Sequence, residues 1–300
     1  MKKKVLVTGS SGFIAPGVIK ACLKRNWKVY GVDIKNPKKK FNRVDYIKKN
    51  VTKLEIKFLK KIDFVAHMAF KTNIPKSILN PVSYTKKNIE MTTVLLEKCT
   101  KAGVKKLIFP STASQYGRNK TPWKEFMHPD PFEPYSWQKN ACETLLKMWS
   151  KQYGLKTCIL RLFQVFGENP RPDTAIAKFL KAKKLNKFIP LTATTAQSSF
   201  KTGVRDFVHI DDVGEAFVKA MMSNKVGKGE IINIASGKKI SMKQVANSIG
   251  GKIKFIPKRN FEVDVHHADV SKAKRLINWN YKINILYWIK KVLKDEFYKK

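Results

Sequence analysis

Tyr135 and Lys139 are the residues of this sequence whose types and spacing most directly suggest chemistry. Residues four positions apart on a helix lie on the same face, one turn from each other. A free tyrosine titrates at about 10, so it is protonated at neutral pH, and an adjacent ammonium group lowers that pKa by stabilising the phenolate. The pair therefore predicts a general base at Tyr135, with Lys139 as its electrostatic partner.

A glycine-rich turn near the amino terminus predicts where a cofactor binds. The segment Thr8-Gly9-Ser10-Ser11-Gly12-Phe13-Ile14-Ala15 follows a short apolar run and precedes a helical pattern. Its glycines permit a tight turn and a close backbone approach to a pyrophosphate, which binds at the N-terminus of the following helix. Ala15 stands in place of a third glycine and is small enough for the same packing role. We assign cofactor contacts to Gly9, Ser11, Gly12, Phe13 and Ile14.

Asp33 predicts which dinucleotide is used. It ends the second predicted strand, 21 residues after Gly12, where a carboxylate accepts hydrogen bonds from the adenosine ribose. Such a carboxylate disfavours the extra phosphate of NADP, so we expect NAD as the cofactor. The lysines that follow it would weaken this preference, and the alternative is that Asp33 is an ordinary residue of a strand-end turn.

Strand-length apolar runs alternate with helical patterns in the first half of the chain. Strands are predicted at 4–8, 28–33, 63–69, 105–111 and 156–162, and helices at 12–25, 52–60, 83–102 and 135–152. This alternation predicts an α/β fold with a Rossmann-type, doubly wound parallel sheet. We expect an NAD-binding domain over residues 1–166 and a smaller substrate-binding domain over 167–300, with the chain returning to the sheet around 205–235.

The strong positive charge raises the question of a nucleic-acid partner. The chain has 61 basic and 22 acidic residues, a net charge of +39, and only eight of the basic residues are arginines. Readers of phosphates and bases usually depend on arginine, and the lysines are spread along the chain without a basic-aromatic array. The composition therefore favours drift toward lysine, and we expect no nucleic-acid partner.

Cysteine, histidine and apolar patterns exclude other classes of protein. The four cysteines are scattered without a Cys-x-x-Cys pair, which argues against zinc and disulfides and for a cytoplasmic location. No apolar run approaches the roughly 18 residues that a membrane span needs. The histidines have no spacing typical of metal ligands, so we expect no metal. Asp211-Asp212 resembles a cation site in isolation, but its place before a predicted helix indicates a helix cap.

Four further segments, in order along the chain, complete a family resemblance. They are His67-Met68-Ala69, Ser111-Thr112-Ala113-Ser114-Gln115-Tyr116-Gly117, Arg161-Leu162-Phe163-Gln164-Val165-Phe166-Gly167 and Val204-Arg205-Asp206-Phe207-Val208-His209-Ile210-Asp211-Asp212-Val213. Together with the glycine-rich turn and Tyr135-x-x-x-Lys139, they resemble the extended short-chain dehydrogenases/reductases of the NAD-dependent sugar-nucleotide epimerase/dehydratase family. The resemblance extends over almost the whole chain.

The resemblance implies a mechanism and a set of roles. Tyr135 would take the proton from a sugar hydroxyl at C4, while hydride passes from that carbon to NAD⁺ and returns to the opposite face of a rotated keto sugar. Lys139 would contact the cofactor ribose, and Thr112 would hold the substrate oxygen. Cofactor contact is also implied for Ala69, and substrate contact for Gln164, Arg205 and Arg259.

The residues after Thr112 favour epimerisation within this family. The 4,6-dehydratases carry an Asp-Glu pair there and the UDP-glucuronate decarboxylases a glutamate, whereas this chain has Ala113, Ser114 and Gln115. Loss of water needs an added acid and base, which these positions do not supply. We therefore expect a nucleotide-sugar 4-epimerase, with a UDP-sugar as substrate and a homodimeric assembly. The alternatives are a dehydratase, decarboxylase or 4-keto-sugar reductase, and an NAD-binding regulatory or RNA-binding member of the fold.

Overall fold

The centre of the protein is a seven-stranded parallel sheet. The computed structural model describes residues 2–37, 40–194, 202–257 and 263–297. Across the sheet the strands run in the order β11-β6-β5-β4-β1-β2-β3, and every neighbouring pair is parallel. Their bounds are Lys4–Thr8 (β1), Lys28–Asp33 (β2), Val44–Lys48 (β3), Phe64–His67 (β4), Lys106–Thr112 (β5), Thr157–Leu162 (β6) and Lys228–Ile234 (β11). This arrangement confirms the predicted fold class.

Helices cover both faces of the sheet, as a parallel sheet requires. In chain order they are Ala15–Lys24 (α1), Ile56–Leu59 (α2), Ile74–Leu79 (α3), Pro81–Ala102 (α4), Pro134–Tyr153 (α5), Ala175–Lys184 (α6), Ile210–Met222 (α7), Met242–Ile249 (α8), Ser271–Ile277 (α9) and Ile285–Phe297 (α10). One apolar core joins the sheet to α1, α7 and α9, and the other joins it to α2, α4 and α5. The long helices α4 and α5 end at Gly103 and Gly154, whose positive φ angles of 72° are favoured by glycine.

The later part of the chain adds three short two-stranded pairings and a third core. Their strands are Gln164–Phe166 (β7), Ile189–Thr192 (β8), Val204–Arg205 (β9), Phe207–His209 (β10), Ile240–Ser241 (β12) and Ile253–Ile256 (β13). The pairs are β10 with β7, β12 with β9, and β13 with β8. Apolar residues of α6, α8 and α10 bury one another in this third core. The domain division at residue 166 stays a prediction.

The observed elements differ from the predicted ones mainly at their starts. The first helix begins at Ala15 rather than at residue 12, because the glycine-rich turn occupies the preceding positions. The helix predicted over 52–60 is a 3₁₀ turn at Val51–Lys53 followed by the short α2. Strand β3 was not predicted from the sequence. Within the part of the chain that the structure describes, no helix is both long and apolar enough to cross a membrane.

Candidate active site

The predicted site residues lie where the central strands end. The glycine-rich turn follows β1, Asp33 ends β2, Ala69 follows β4, and Thr112 is the last residue of β5. Because the strands are parallel, their carboxyl ends meet at one edge of the sheet, which is where ligands bind in open α/β folds. The topology therefore brings together residues that are as much as a hundred positions apart.

The glycine-rich turn is tightly fitted against the loop after β4. Gly9 has a φ of +65°, and a Cβ added to it would come within 2.7 Å of the backbone nitrogen of Ala69. The hydroxyl of Thr8 accepts a hydrogen bond from that same nitrogen, 3.1 Å away, and contacts Nδ1 of His67 at 3.0 Å. A side chain at Gly9 is thus excluded, and Ala69 is held beside the turn as predicted for a cofactor contact.

The turn and α1 have the features needed to hold a dinucleotide. The amide of Gly12 donates to the carbonyl of Gly9 over 2.9 Å, which closes the turn. Helix α1 begins without a side-chain cap. Pro16 has no amide hydrogen and the amide of Gly17 donates to the carbonyl of Ile14 over 3.1 Å, which leaves the amide of Ala15 in the first turn to face a pyrophosphate. The carboxylate of Asp33 accepts hydrogen bonds from the amides of Ser11 and Lys35, both over 3.0 Å, and is thereby fixed at the end of β2. These residues fit NAD, and the contact of Asp33 with a ribose stays a prediction.

Tyr135 lies in the first turn of α5, close to Thr112. The Thr112 side chain acts to lower the pKa of the phenol, which supports the predicted pairing of base and hydroxyl. The hydroxyl of Thr112 also contacts that of Ser114 at 3.0 Å. Burial and, to a smaller extent, the charge of Glu133 together raise the pKa of Tyr135 to about 12, against the opposing charge of Arg171. The protein's own groups therefore do not produce the low pKa that the sequence predicts for the base.

Glu133 caps the helix that carries the base. Its carboxylate accepts hydrogen bonds from the amides of Tyr135, at 2.7 Å, and Ser136, at 2.9 Å, and Pro134 occupies the first turn. An acceptor side chain followed by proline is a recognised signal for a helix start, so the sequence contained this information. Glu133 was nevertheless missed, because glutamate is not among the preferred capping residues.

Lys139 is buried one turn further along α5. Its ammonium donates to the carbonyl oxygen of Pro110 over 2.7 Å and lies 3.7 Å from the ring centroid of Phe70 and 4.3 Å from that of Phe109. Burial lowers the pKa of Lys139 to about 7. The predicted action of this ammonium on Tyr135, and its contact with the cofactor ribose, stay predictions.

The predicted substrate residues are only partly brought to this edge. Gln164 begins β7, with one residue between it and the end of β6. Its backbone amide donates to the backbone carbonyl of Asp206 over 3.0 Å. Arg205 is buried, with its guanidinium donating to the carbonyls of Val204 and Asp264. Arg259 lies outside the described residues.

Arg171 was missed by the sequence analysis. It lies in a segment without strong helix or strand signals, yet its charge acts on Tyr135. One guanidinium nitrogen donates to the hydroxyl of Thr72 over 2.8 Å, and two others donate to the carboxylate of Asp173, both over 3.1 Å. The loop after β4 and the segment after β7 therefore meet at this guanidinium.

The expected cap of α7 was wrong in its residue. The ring nitrogen Nδ1 of His209 accepts a hydrogen bond from the amide of Asp211 over 3.1 Å, so His209 is the cap. Asp212 is buried, and its carboxylate instead accepts hydrogen bonds from the amides of Lys282 and Ile283. Across the described ranges, no group of three His, Cys, Asp or Glu side chains is arranged to hold a metal ion.

Comparison with known proteins agrees with this geometry. The model of the NAD dependent epimerase/dehydratase family matches residues 5–235. The chain therefore belongs to the NAD-dependent epimerase/dehydratase family. A UDP-glucuronate 4-epimerase of Thermodesulfobacterium geofontis is 33% identical over 96% of this chain and 94% of that protein. A putative UDP-glucose 4-epimerase of Methanocaldococcus jannaschii is 29% identical over 96% of this chain and 97% of that protein.

Solved structures give the same result. The UDP-N-acetylglucosamine 4-epimerase of Methanobrevibacter ruminantium M1, in complex with UDP-N-acetylmuramic acid, superposes with a TM-score of 0.88 at 26% identity, covering 100% of both chains. The UDP-glucuronic acid 4-epimerase of Bacillus cereus, in complex with UDP-glucuronic acid and NAD, has a TM-score of 0.85 at 27% identity, over 96% of this chain and 99% of that one. The predicted family, the use of NAD and the epimerase activity on a nucleotide sugar are confirmed.

Proposed function

We propose that this enzyme interconverts the C4 epimers of a UDP-hexuronate, such as UDP-glucuronate. The observation that carries the proposal is Arg171, whose guanidinium is held by Thr72 of the loop after β4 and whose charge reaches Tyr135. Thr72 and Asp173 fix this guanidinium, yet the side chain stays 42% exposed. A fixed, planar and accessible guanidinium is suited to bind a carboxylate. The relatives from T. geofontis and B. cereus, named for UDP-glucuronate and its acid, support this choice.

The proposed chemistry gives the proton transfer to Tyr135 and supporting roles to Thr112 and Lys139. Tyr135 takes the proton from the C4 hydroxyl of the sugar and returns it after the keto sugar has rotated. Thr112, whose side chain acts on the pKa of the phenol, orients the same sugar oxygen. Bound NAD supplies the hydride acceptor and donor at C4. Lys139 contacts the cofactor ribose, and its charge, together with that of Arg171, favours the phenolate.

The surroundings of Thr112 support epimerisation over dehydration. Ala113 and Ser114 carry no acid, and Gln115 is buried, with its amide donating to the hydroxyl of Ser111 over 2.9 Å. Glu143 contacts Gln115 but is already paired with Arg161 in the core. Dehydration requires a further acid and base at the sugar. None of these side chains is placed to supply them.

We propose that a buried arginine, Arg205, binds the nucleotide part of the substrate. We assign the diphosphate to Arg205, whose guanidinium is held in place by two backbone carbonyls. Arg259 and Gln164 complete the proposed substrate set. The solved relatives with UDP-sugars bound support uridine as the nucleoside. Binding of UDP, measured by calorimetry on wild type and Arg205→Met, tests the assignment, and equal affinities would refute it.

We also propose a homodimer formed through α4 and α5. Several large apolar side chains on α5, α4 and the adjoining α3 are exposed to solvent, although apolar groups on a monomer surface are usually scattered. They are Ile78, Leu79, Val82, Trp137, Met148 and Tyr153. Light scattering should give twice the chain mass of 34.4 kDa. Replacing Leu79 and Trp137 by serine should return that mass to the monomer value.

A cytoplasmic location is proposed from the thiols. All four cysteines are free and buried, as expected for a chain that folds under reducing conditions. Detection of the protein in a periplasmic or secreted fraction would contradict this location. We assign no function to the high positive charge of the chain. Unchanged electrophoretic mobility of random DNA when the protein is added would support this view.

The decisive experiment is a proton NMR time course with a panel of UDP-sugars, including UDP-glucuronate, UDP-glucose and UDP-N-acetylglucosamine. We expect UDP-glucuronate to approach equilibrium with its C4 epimer without net formation of NADH. Tyr135→Phe should abolish turnover while NAD stays bound. Preference for a neutral sugar would assign the enzyme to that substrate, and loss of water or carbon dioxide would assign it to another branch of the family. An unreactive panel with NAD bound would contradict the proposal.

A further inference from the structure

Phe70 occupies an unusual position in the active site. It follows Ala69 in the loop after β4, and its ring is half-buried. The ring centroid lies 3.7 Å from the ammonium nitrogen of Lys139, and the ring meets that of Tyr135 edge-on with 6.2 Å between centroids. One aromatic side chain therefore contacts both members of the predicted catalytic pair.

Hydrogen bonds from α4 hold the loop that carries Phe70 in place. Asn88 of α4 accepts a hydrogen bond from the amide of Lys71 over 2.8 Å and donates to the carbonyl of the same residue over 3.2 Å. The Asn88 amide also donates to the side chain of Gln138, 2.8 Å away. Asn88 and Gln138 are both fully buried. These bonds hold the backbone at Lys71, next to Phe70, so we expect the ring to change position by rotation of its own side chain.

The ammonium of Lys139 has its donor directions taken. An ammonium group has three N–H donors and no acceptor. One donates to the carbonyl of Pro110, and the faces of Phe70 and Phe109 lie over the remaining directions. Phe109 is completely buried in the core between β5 and the helices, whereas Phe70 is at the edge of the site. Of the two rings over the Lys139 ammonium, that of Phe70 is therefore the one that can move, and we call it the cover.

We propose that Phe70 controls access to Lys139 and thereby sets the rate and affinity of NAD binding. A ribose hydroxyl can hydrogen-bond to the ammonium only after the Phe70 ring has turned away from it. Binding then selects the uncovered state, and the apparent affinity is reduced by the fraction of molecules in that state. The lowered pKa of Lys139, caused by burial, agrees with an ammonium that is shielded from water. The inference rests on the proposed contact between Lys139 and the cofactor ribose.

Substitutions of Phe70 test the proposal through binding rather than turnover. Phe70→Ala removes the cover, and NAD⁺ association measured by stopped-flow tryptophan fluorescence should become faster, with Kd lowered by about tenfold if the covered state dominates. Phe70→Trp enlarges the cover and should slow association. Phe255→Ala is the matched control, because Phe255 is an exposed phenylalanine of β13, which pairs with β8 outside the central sheet, and it should change neither value.

Chemical labelling of Lys139 gives a second, independent readout. Acetic anhydride at limiting concentration, followed by peptide mass spectrometry, reports the reactivity of this lysine among the 53 in the chain. Phe70→Ala should raise the labelling rate of Lys139, and Phe70→Trp should lower it. Wild-type rates of labelling and of NAD⁺ association in both variants would overturn the proposal. Lys139→Met separates the two hypotheses, since unchanged NAD⁺ affinity in that variant would refute the ribose contact itself.

Discussion

Gly17 of α1 and Gly214 of α7 lie in direct backbone contact. A Cβ added to Gly17 would come within 2.0 Å of the carbonyl oxygen of Ile210, and one added to Gly214 within 2.1 Å of the carbonyl oxygen of Gly17. The two helices therefore touch without intervening side chains. Because α1 begins at the glycine-rich turn, its position on α7 also fixes the amide groups that face the cofactor.

Gly214→Ala should separate these helices. Backbone atoms cannot change rotamer to make room, so we expect a loss of at least about 2 kcal/mol in the free energy of unfolding. A displaced α1 should also weaken NAD⁺ binding. Denaturant titration and calorimetry measure the two effects. Glu215→Ala on the same helix is the control, because it removes a partly exposed ion pair with Arg25 worth about 1 kcal/mol or less. Equal losses in the two variants would contradict the role given to this contact.

Glu133→Ser should shift the pH dependence of turnover. The charge of Glu133 raises the pKa of Tyr135, and the base must lose its proton to act. Serine also caps helices well, so the start of α5 should survive the change. Without the negative charge the pKa of Tyr135 falls, and the acid limb of the rate profile should move to lower pH. Glu133→Asp keeps the charge and should leave the profile in place. An unmoved limb in the serine variant would show that Glu133 acts only as a cap.

His67 should make the protein sensitive to acid. Burial lowers the pKa of His67 to about 3 from its usual 6.5, so between these values the unfolded chain binds a proton that the folded protein does not. Stability is therefore complete above pH 6.5 and falls as the pH drops toward 3. The loss is about 1.4 kcal/mol per pH unit for one such histidine. His67→Asn should reduce this slope in denaturant titrations from pH 7 to 5, whereas the exposed His128→Asn should not.

The fold was predictable because its signals are local and repeated. Strands β1 and β2 were predicted with their observed bounds, since each is an apolar run closed by a turn residue. Strand β3 and the short strands β7, β8, β9, β10, β12 and β13 were missed. These segments are brief, and their stability depends on partners far along the chain, such as Gln164 of β7 opposite Phe207 of β10.

The site was predictable only where its residues form motifs. The glycine-rich turn, Asp33 and Tyr135 follow spacings that the chemistry requires, and the structure places them at one edge of the sheet. Arg171 and Phe70 have no such spacing, because what matters is the three-dimensional meeting of separate loops. The cap of α7 was assigned to Asp211-Asp212 instead of His209. A neutral histidine ring accepts a hydrogen bond as a carboxylate does, so residue type alone did not distinguish them.

Arg171→Met should change the choice of substrate more than the chemistry. Under the proposed function, the guanidinium binds the sugar carboxylate, so KM for UDP-glucuronate should rise by about tenfold or more, as for loss of a charge-assisted hydrogen bond. KM for UDP-glucose should change little. Asp173→Asn is the matched control, because it removes the ion-pair partner of Arg171 but leaves the positive charge of Arg171 in place. Equal effects on both substrates would remove the uronate assignment.

Glu143 and Arg161 form an ion pair whose side chains are each only 2% exposed. Two guanidinium nitrogens donate to the two carboxylate oxygens over 3.0 and 2.8 Å, and the guanidinium lies 4.6 Å from the ring centroid of Tyr116. Glu143→Gln leaves a buried charge without its counter-ion, which should cost about 3–5 kcal/mol in denaturant titration.

The double variant with Arg161→Met decides what this pair does. Once both charges are removed, the desolvation cost disappears with them, so most of the lost stability should return. NAD⁺ affinity is a separate readout, because the charge of Glu143 raises the pKa of Lys139, the proposed ribose contact, and its removal lowers that pKa further. If the double variant is as unstable as Glu143→Gln, the pair is required for packing beneath Thr112, and its charges are not the source of the loss.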